Sequence, residues 1–240
     1  MPLTSIYLIS LKGHIHLQMN PAPIKKKPIL FVDFHGVLSY KPFWFSLQDT
    51  AHPLHNIFAP IQKYLLKDNP SVFKDWMHGH YTSEEIHDIL SREVNDKFDR
   101  DELFKIFIKD CENLDISKKI LDYLEQMKNS YHLIITTDNA DSFNRFTLPA
   151  NPRIKEIFDD VSNSCNVGYS KKDHNCILFH SYIKKYKADP TQCILLDDSP
   201  RNCSSFEKHT NGKAIQVNSE TEVLNALVGI KKGFQELAKE

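Results

Sequence analysis

The sequence predicts an α/β fold, a doubly wound parallel sheet that carries a small all-helical subdomain. Three apolar runs, Ile29 to Val32, Tyr131 to Thr137 and Cys193 to Leu196, have the composition of strands buried on both faces. Helical patterns separate these runs, as they do in β-α-β units. Each run also ends in polar residues, at the edge where open parallel sheets bind their ligands.

Length and composition limit the classes of protein that fit. The 240 residues suit one α/β domain with an insertion or two small domains. With Lys+Arg 30 against Asp+Glu 31, and Lys25-Lys26-Lys27 as the longest basic run, we expect no nucleic-acid partner. No stretch approaches the roughly 18 to 20 apolar residues of a membrane helix. We therefore expect a cytoplasmic chain without a membrane partner; its oligomeric state is not predicted.

The cysteines and the first residues add two expectations. The five cysteines are odd in number and form no Cys-x-x-Cys pair, which favours reduced thiols over zinc or a redox couple. Residues 1–27 form an N-terminal extension without the features of a signal peptide. Met19 opens a proline-bearing stretch that leads into the first strand, so translation can start there as well as at Met1.

The first strand, Ile29 to Val32, stops at the carboxylate of Asp33, and Gly36 then breaks the apolar pattern. An aspartate in this position caps the next helix, binds a metal ion or acts as a nucleophile. Taken alone, the segment favours the capping interpretation.

A helical segment follows the first strand. Asn56 to Leu66 carries apolar residues at helical spacing, Thr82-Ser83-Glu84-Glu85 forms a capping box, and Asp99 precedes a further helix. We assign residues 39–127 to a small helical subdomain. Its aromatic residues, Phe43 to Phe45 and Trp76, favour a packed core over a substrate-facing surface.

The second strand leads to further polar residues. A helix from Ile116 to Lys128 precedes the strand that ends at Thr136, Thr137 and Asp138. Because side chains alternate along a strand, one of the two threonines faces the site; we favour Thr137 and keep Thr136 as the alternative. The pair Lys171-Lys172 then precedes an amphipathic helix that includes Ile177, Phe179 and Ile183. A solvated lysine pair is the ordinary alternative there.

The strand from Cys193 to Leu196 ends in two adjacent carboxylates, Asp197 and Asp198. Adjacent like charges repel, and a buried carboxylate needs a partner, so a cation is expected beside them. Magnesium binds through one or two carboxylates, water and a substrate phosphate, and fits this pattern better than helix capping does. A last strand, Lys213 to Val217, and a helix, Glu220 to Glu240, close the chain.

In order and spacing, these segments resemble the four motifs of the haloacid dehalogenase (HAD) superfamily, from about Pro28 to Val217. The resemblance implies a Rossmann-like core, residues 28–38 and 128–240, with a helical cap, residues 39–127. It further implies that Asp33 is the nucleophile and that Thr137, Asp138 and Lys171 bind the phosphate. It implies Mg²⁺ as cofactor, with the ligands Asp33, His35 through its backbone carbonyl, Asp197 and Asp198.

The same resemblance implies the reaction. It indicates a phosphoric monoester hydrolase that acts on a small phosphorylated metabolite through an aspartyl-phosphate. His35 stands where the phosphatases of this family have a second aspartate, the general acid and base; imidazole is able to serve in both roles. Two alternatives remain: a dehalogenase-type hydrolase, against which the pair Asp197-Asp198 argues, and a non-catalytic binding protein. The substrate is not predicted.

Overall fold

The computed structural model describes residues 10–11, 14–15, 27–94 and 98–237, with side chains for 27–94 and 98–233. Most of the predicted N-terminal extension, including Met19, lies outside the described residues, as do residues 238–240 of the last predicted helix. Within the extension, Ser10–Leu11 pairs antiparallel with His14–Ile15.

Five parallel strands form the central sheet, as predicted. They are β1 (Ile29–Val32), β2 (His132–Thr137), β3 (Asp160–Asn163), β4 (Ile194–Asp197) and β5 (Lys213–Gln216). Their order is β3-β2-β1-β4-β5, and every neighbouring pair is parallel. The chain order reverses direction between β1 and β4, so the ligand crevice of this topology opens at the carboxyl ends of those two strands.

Eleven α-helices lie among the described residues. They are α1 (His55–Lys63), α2 (Pro70–Met77), α3 (Ser83–Glu93), α4 (Arg100–Glu112), α5 (Lys118–Glu125), α6 (Leu148–Ala150), α7 (Pro152–Ile157), α8 (Ser164–Val167), α9 (Asp173–Tyr186), α10 (Pro200–Thr210) and α11 (Glu220–Leu237). Within this part of the chain, none of them has the length and apolar character needed to cross a membrane.

Local sequence signals place several helix starts. The capping box is present, since Thr82 Oγ1 accepts a hydrogen bond from the Glu85 backbone and the Glu85 side chain accepts one from Thr82 N at 2.8 Å. Asp99 caps α4 as predicted. The sequence from Ile154 to Val161 predicts a short strand or turn; its first half instead belongs to α7, where Pro152 at the first position favours a helical start, and its end enters β3.

Helices cover both faces of the sheet. One face buries Leu30 and Val32 against α5, α7 and α11. The other face buries Ile29 and Phe31 against α9 and α10. A strand covered on both sides needs apolar residues at every position, which explains why the run from residue 29 to 32 has no polar alternation.

Residues 40–115, which we call the helical insertion, leave the sheet after β1 and form a separate core. Trp44 and Trp76 are fully buried in that core, as the sequence predicts. The two ends of the insertion lie side by side, because Ser39 bridges to Ile116 and Ser117 N donates to Leu38 O at 3.0 Å. The helix α5, which the predicted bounds 39–127 include, packs against the sheet.

Candidate active site

The site forms where β1 and β4 end side by side. Asp33 directly follows β1, and its backbone N donates to Leu196 O at 2.9 Å, which fixes it against β4. Its Oδ1 accepts a hydrogen bond from Phe34 N at 2.7 Å. Asp197 is the last residue of β4 and is fully buried. The two predicted carboxylates therefore meet at one edge of the sheet.

Lys171 lies between these two carboxylates. Its Nζ is 2.6 Å from Asp33 Oδ2 and 2.6 Å from Asp197 Oδ2, and its side chain is only 2% exposed. The backbone N of Lys171 donates to Asp138 Oδ1 at 2.9 Å, which links the loop before α9 to the end of β2. Its neighbour Lys172 is exposed. The structure thus separates the lysine pair into one buried ion-pair partner and one solvated side chain.

Asp197 and Asp198 have different surroundings. Asp197 Oδ1 accepts hydrogen bonds from Ser199 N at 2.9 Å and from Asn202 Nδ2 at 3.1 Å, in addition to the ion pair at its Oδ2. Asp198 is only partly buried. Protein donors already hold Asp197 in place, whereas the carboxylate of Asp198 is more open to a ligand from solvent.

Gly36 allows Asp198 to approach the end of β1. Its φ of +80° lies in the left-handed region that disfavours other residues, and its N donates to Ser39 O at 2.8 Å. A Cβ at this position would lie 2.5 Å from Asp198 Cγ, far inside contact distance. A glycine is therefore required for the observed geometry.

The charges at this site do not balance within the described residues. Asp33, Asp197 and Asp198 each offer an oxygen within 4.8 Å of the other two. Lys171 is paired with Asp33 and Asp197, so one positive charge faces three carboxylates. Burial raises the pKa of Asp33 well above its usual value even though Lys171 opposes the shift, and burial and Asp197 raise the pKa of Asp198. A divalent cation would neutralise the excess, and three carboxylate oxygens are suitable ligands for Mg²⁺.

Burial by itself would lower the pKa of Lys171, but the charges of Asp33 and Asp197 raise it above its usual range. The lysine is therefore a fixed positive charge at neutral pH. Burial also raises the pKa of Asp138, against the opposing charge of Lys171. Burial is thus the largest cause of the raised pKa of Asp33, Asp138 and Asp198, as expected where ionisable groups share a closed site.

His35 and the threonines complete the predicted set. His35 reaches solvent at the edge of the site; partial burial and the charge of Lys171 lower its pKa, while Asp198 opposes the shift. The hydroxyls of Thr136 and Thr137 are both buried without a hydrogen-bond partner among the described residues. Two unpaired donors at the end of β2 suit an oxygen-rich ligand, and the choice between the two threonines stays a prediction.

A cavity of about 320 Å³ lies between the helical insertion and the ends of β1 and β2. Its wall on the sheet side includes His35, Asp138 and Asn139. Its wall on the insertion side is largely aromatic and includes Phe43 and Phe73. His35 and Asp138 belong both to the predicted site and to the lining of the cavity, so the cavity adjoins the site at these two residues.

Sequence patterns did not reveal the residues that hold the insertion on the sheet domain. Asp141 Oδ1 accepts hydrogen bonds from Ser83 Oγ at 2.6 Å and from Trp76 Nε1 at 3.2 Å. His78 Nε2 lies 2.8 Å from the hydroxyl of Ser170, the residue before Lys171. These contacts join residues 58 to 92 positions apart, and no local motif marks them.

The sequence matches no protein-family model, and a search of the curated proteins gave no significant match. Solved structures do match. A predicted HAD-like family hydrolase from Porphyromonas gingivalis aligns with a TM-score of 0.65 at 18% identity, over 85% of this chain and 98% of that chain. A HAD family enzyme from Bacteroides thetaiotaomicron, in complex with magnesium and inorganic phosphate, gives a TM-score of 0.59 at 16% identity, over 79% and 93%.

A 2-haloacid dehalogenase from Pseudomonas syringae aligns as well, with a TM-score of 0.54 at 18% identity, over 80% of this chain and 86% of that chain. The alignments cover 86% or more of the length of each of these proteins. The chain therefore has the fold of the HAD-like hydrolases, as the order of its motifs predicts.

Proposed function

We propose that the protein is a magnesium-dependent phosphatase that hydrolyses a small phosphoric monoester through an aspartyl-phosphate on Asp33. The observation that carries this proposal is the buried ion-pair network, in which Lys171 Nζ lies 2.6 Å from both Asp33 and Asp197 while a third carboxylate stands close by. A hydrolase that binds a phosphate dianion needs positive charge beside its nucleophile. Lys171 supplies one such charge, and the uncompensated carboxylates suit a divalent cation.

The proposed residues have separate roles in two steps. In the first, a carboxylate oxygen of Asp33 attacks phosphorus, the bond from phosphorus to the leaving oxygen breaks, and protonated His35 gives that oxygen a proton. In the second, neutral His35 takes a proton from water, which attacks phosphorus and releases the Asp33 carboxylate. Lys171 and one of the two unpaired threonine hydroxyls hold the phosphoryl oxygens during both steps.

Asp33, Asp197 and Asp198 are the side chains that would hold Mg²⁺, and the backbone carbonyl of His35 would add a fourth protein ligand. The ion would neutralise charge between the carboxylates and a phosphate dianion. The Bacteroides enzyme of the same fold was solved with magnesium and inorganic phosphate, which supports this assignment.

His35 is also the observation that favours other reactions, because it replaces a carboxylic acid that phosphatases of this fold use. A dehalogenase-type hydrolase needs the Asp33 nucleophile but no second acid. The cluster of three carboxylates argues against that reaction, since displacement of a halide has no use for a divalent cation. A protein that binds a phosphorylated ligand without turnover is the remaining alternative.

Hydrolysis of phenyl phosphate with and without Mg²⁺ separates these possibilities. We expect magnesium-dependent release of phosphate by the unchanged protein, none by Asp33→Asn, and full activity in the control Asp122→Asn, which changes an exposed carboxylate on α5. Release of chloride from 2-chloropropionate without Mg²⁺ would establish the dehalogenase instead. Tight binding of phosphate with no turnover of either compound would establish the non-catalytic protein.

A second test addresses His35. Replacing a general acid by alanine slows catalysis by about 10²- to 10⁴-fold. We expect His35→Ala to slow hydrolysis of an alkyl phosphate by this amount and hydrolysis of an activated aryl phosphate much less, because a good leaving group needs little protonation. Equal losses on both substrates would remove His35 from the mechanism.

A further inference from the structure

The cavity beside the proposed site has a mostly apolar wall. Five aromatic residues line it, together with Leu65 and Leu66 from the π-helical turn Tyr64–Asp68 and Met77 from the end of α2. The aromatic residues are Phe34, Phe43, Trp44, Phe45 and Phe73. Phe34 follows Asp33 directly, so the apolar wall begins next to the proposed nucleophile. His35 and Asp138 of the proposed site also line the cavity, so we expect the group esterified to a phosphate at Asp33 to enter it.

The size of the cavity suits one ring. A dry apolar cavity of about 150 Å³ is sufficient to bind benzene. The cavity here, at about 320 Å³, has room for an aromatic ring and a short linker to the phosphate. Sites that bind small molecules are usually of this size or larger and are mostly apolar.

Few polar groups of this cavity are available to a substrate. Asp110 is 5% exposed, and its Oδ2 already accepts hydrogen bonds from Ser46 N and Ser46 Oγ, both at 2.9 Å. Asp138 accepts from the backbone of Lys171. Lys41 and Gln62 remain on the insertion side. A sugar would place several hydroxyls against carbon atoms, and each hydroxyl without a partner weakens binding.

We propose that the natural substrate is the phosphoric monoester of an alcohol with a single aromatic ring, whose ring occupies this cavity. The substrate assignment rests on the proposed phosphatase function. Sugar phosphates and nucleotides are disfavoured, because the apolar wall would leave most of their hydroxyls without protein partners.

Binding of phosphonates, which cannot be hydrolysed, tests the ring site without turnover. Isothermal titration calorimetry in the presence of Mg²⁺ compares 2-phenylethylphosphonate with ethylphosphonate, which differ only in the ring. Burying a side chain the size of phenylalanine stabilises by an amount equivalent to roughly 10- to 100-fold in affinity. We expect the phenyl compound to bind more tightly by that factor. Equal affinity of the two compounds would overturn the proposal.

A variant at the mouth of the cavity locates the ring. Leu66 lines the cavity and is 51% exposed, so Leu66→Gln introduces a polar group there without opening a hole in the core. Ile177→Gln is the matched control, since Ile177 is 47% exposed on α9, away from the cavity. We expect Leu66→Gln to reduce the preference for the phenyl compound several-fold and Ile177→Gln to leave it unchanged. A preference unaltered by Leu66→Gln would place the ring elsewhere and refute the assignment.

Turnover distinguishes failure of this proposal from failure of the proposed function. The ratio of kcat/KM for 2-phenylethyl phosphate over ethyl phosphate should match the ratio of phosphonate affinities. Hydrolysis of both esters at equal kcat/KM would refute the aromatic substrate and keep the phosphatase. A phenyl preference in binding with no hydrolysis of either ester would refute the phosphatase and keep the ring site.

Discussion

His87 links the stability of the helical insertion to pH. The ring is fully buried, its Nδ1 donates to Ser83 O at 2.7 Å, and its Nε2 accepts from Trp44 Nε1 at 3.2 Å. These two bonds require the neutral ring with its proton on Nδ1. Burial lowers the pKa of His87 from 6.5 to about 4. Protonation would remove the acceptor that Trp44 uses and leave a charge in an aromatic core.

The size of the effect follows from the two pKa values. Between pH 6.5 and about 4 the unfolded chain binds a proton at His87 that the folded protein does not, so stability falls as the pH falls through this range. Above pH 6.5 the contribution is constant. The difference of about 2.5 in pKa corresponds to about 3 kcal/mol, which is a large part of the stability of an ordinary domain.

Urea unfolding at several pH values between 7 and 4 measures this linkage. His87→Gln is the informative variant, because an amide is able to donate to Ser83 and accept from Trp44 without titrating. We expect the free energy of unfolding of the unchanged protein to fall by about 3 kcal/mol more than that of His87→Gln over this range. The exposed His80 provides the control His80→Gln. Parallel pH profiles for the unchanged protein and His87→Gln would refute the neutral buried ring.

Four further substitutions test the site and its attachment to the insertion. Asp198→Ala should weaken Mg²⁺ binding, measured by calorimetry, more than Asp197→Ala. Asp197→Ala should instead cost about 1–3 kcal/mol of stability, because Ser199 N and Asn202 Nδ2 lose their acceptor while Lys171 keeps Asp33 as a partner. The reverse order of the two effects would contradict the assignments. Gly36→Ala should lower the free energy of unfolding by about 1–2 kcal/mol through backbone strain. It should also reduce the affinity for Mg²⁺, because the new Cβ would displace Asp198. An unchanged affinity would contradict the close approach of Gly36 and Asp198. Asp141→Ala should lower the free energy of unfolding by about 1–3 kcal/mol, because Ser83 loses a buried acceptor. An unchanged free energy of unfolding in urea would show that the hydrogen bond between Ser83 and Asp141 is not stabilising.

The sheet was predictable because its strands are covered on both faces. Continuous apolar runs such as Ile29 to Val32 have no other common explanation when helical patterns separate them. The polar residues after the strands also had to meet, since the ends of parallel strands share one edge. The order β3-β2-β1-β4-β5 then places Asp33 beside Asp197.

Other features depend on contacts that are distant in sequence. The helix α5 has the same apolar pattern as the helices of the insertion, and only its packing against the sheet shows that it belongs there. Ile177, which the sequence places in the same amphipathic helix as Phe179 and Ile183, is 47% exposed, and residues 174–176 before it have left-handed backbone angles. The role of Asp141 was not predictable from the sequence, because its hydrogen-bond partners lie far away along the chain, in the insertion.

The most direct test of the central claim is to detect a phosphoryl group on Asp33. In His35→Ala the attack of Asp33 on an activated aryl phosphate needs no acid, while the later attack by water lacks its base, so the aspartyl-phosphate should accumulate. Acid quenching during turnover with Mg²⁺, followed by mass spectrometry of the peptide that contains residues 28–38, measures it. We expect phosphorylation at Asp33, and none in the double variant with Asp33→Asn. Hydrolysis of the ester by His35→Ala with a phosphoryl group on another residue, or at an undiminished rate in the double variant, would contradict the account.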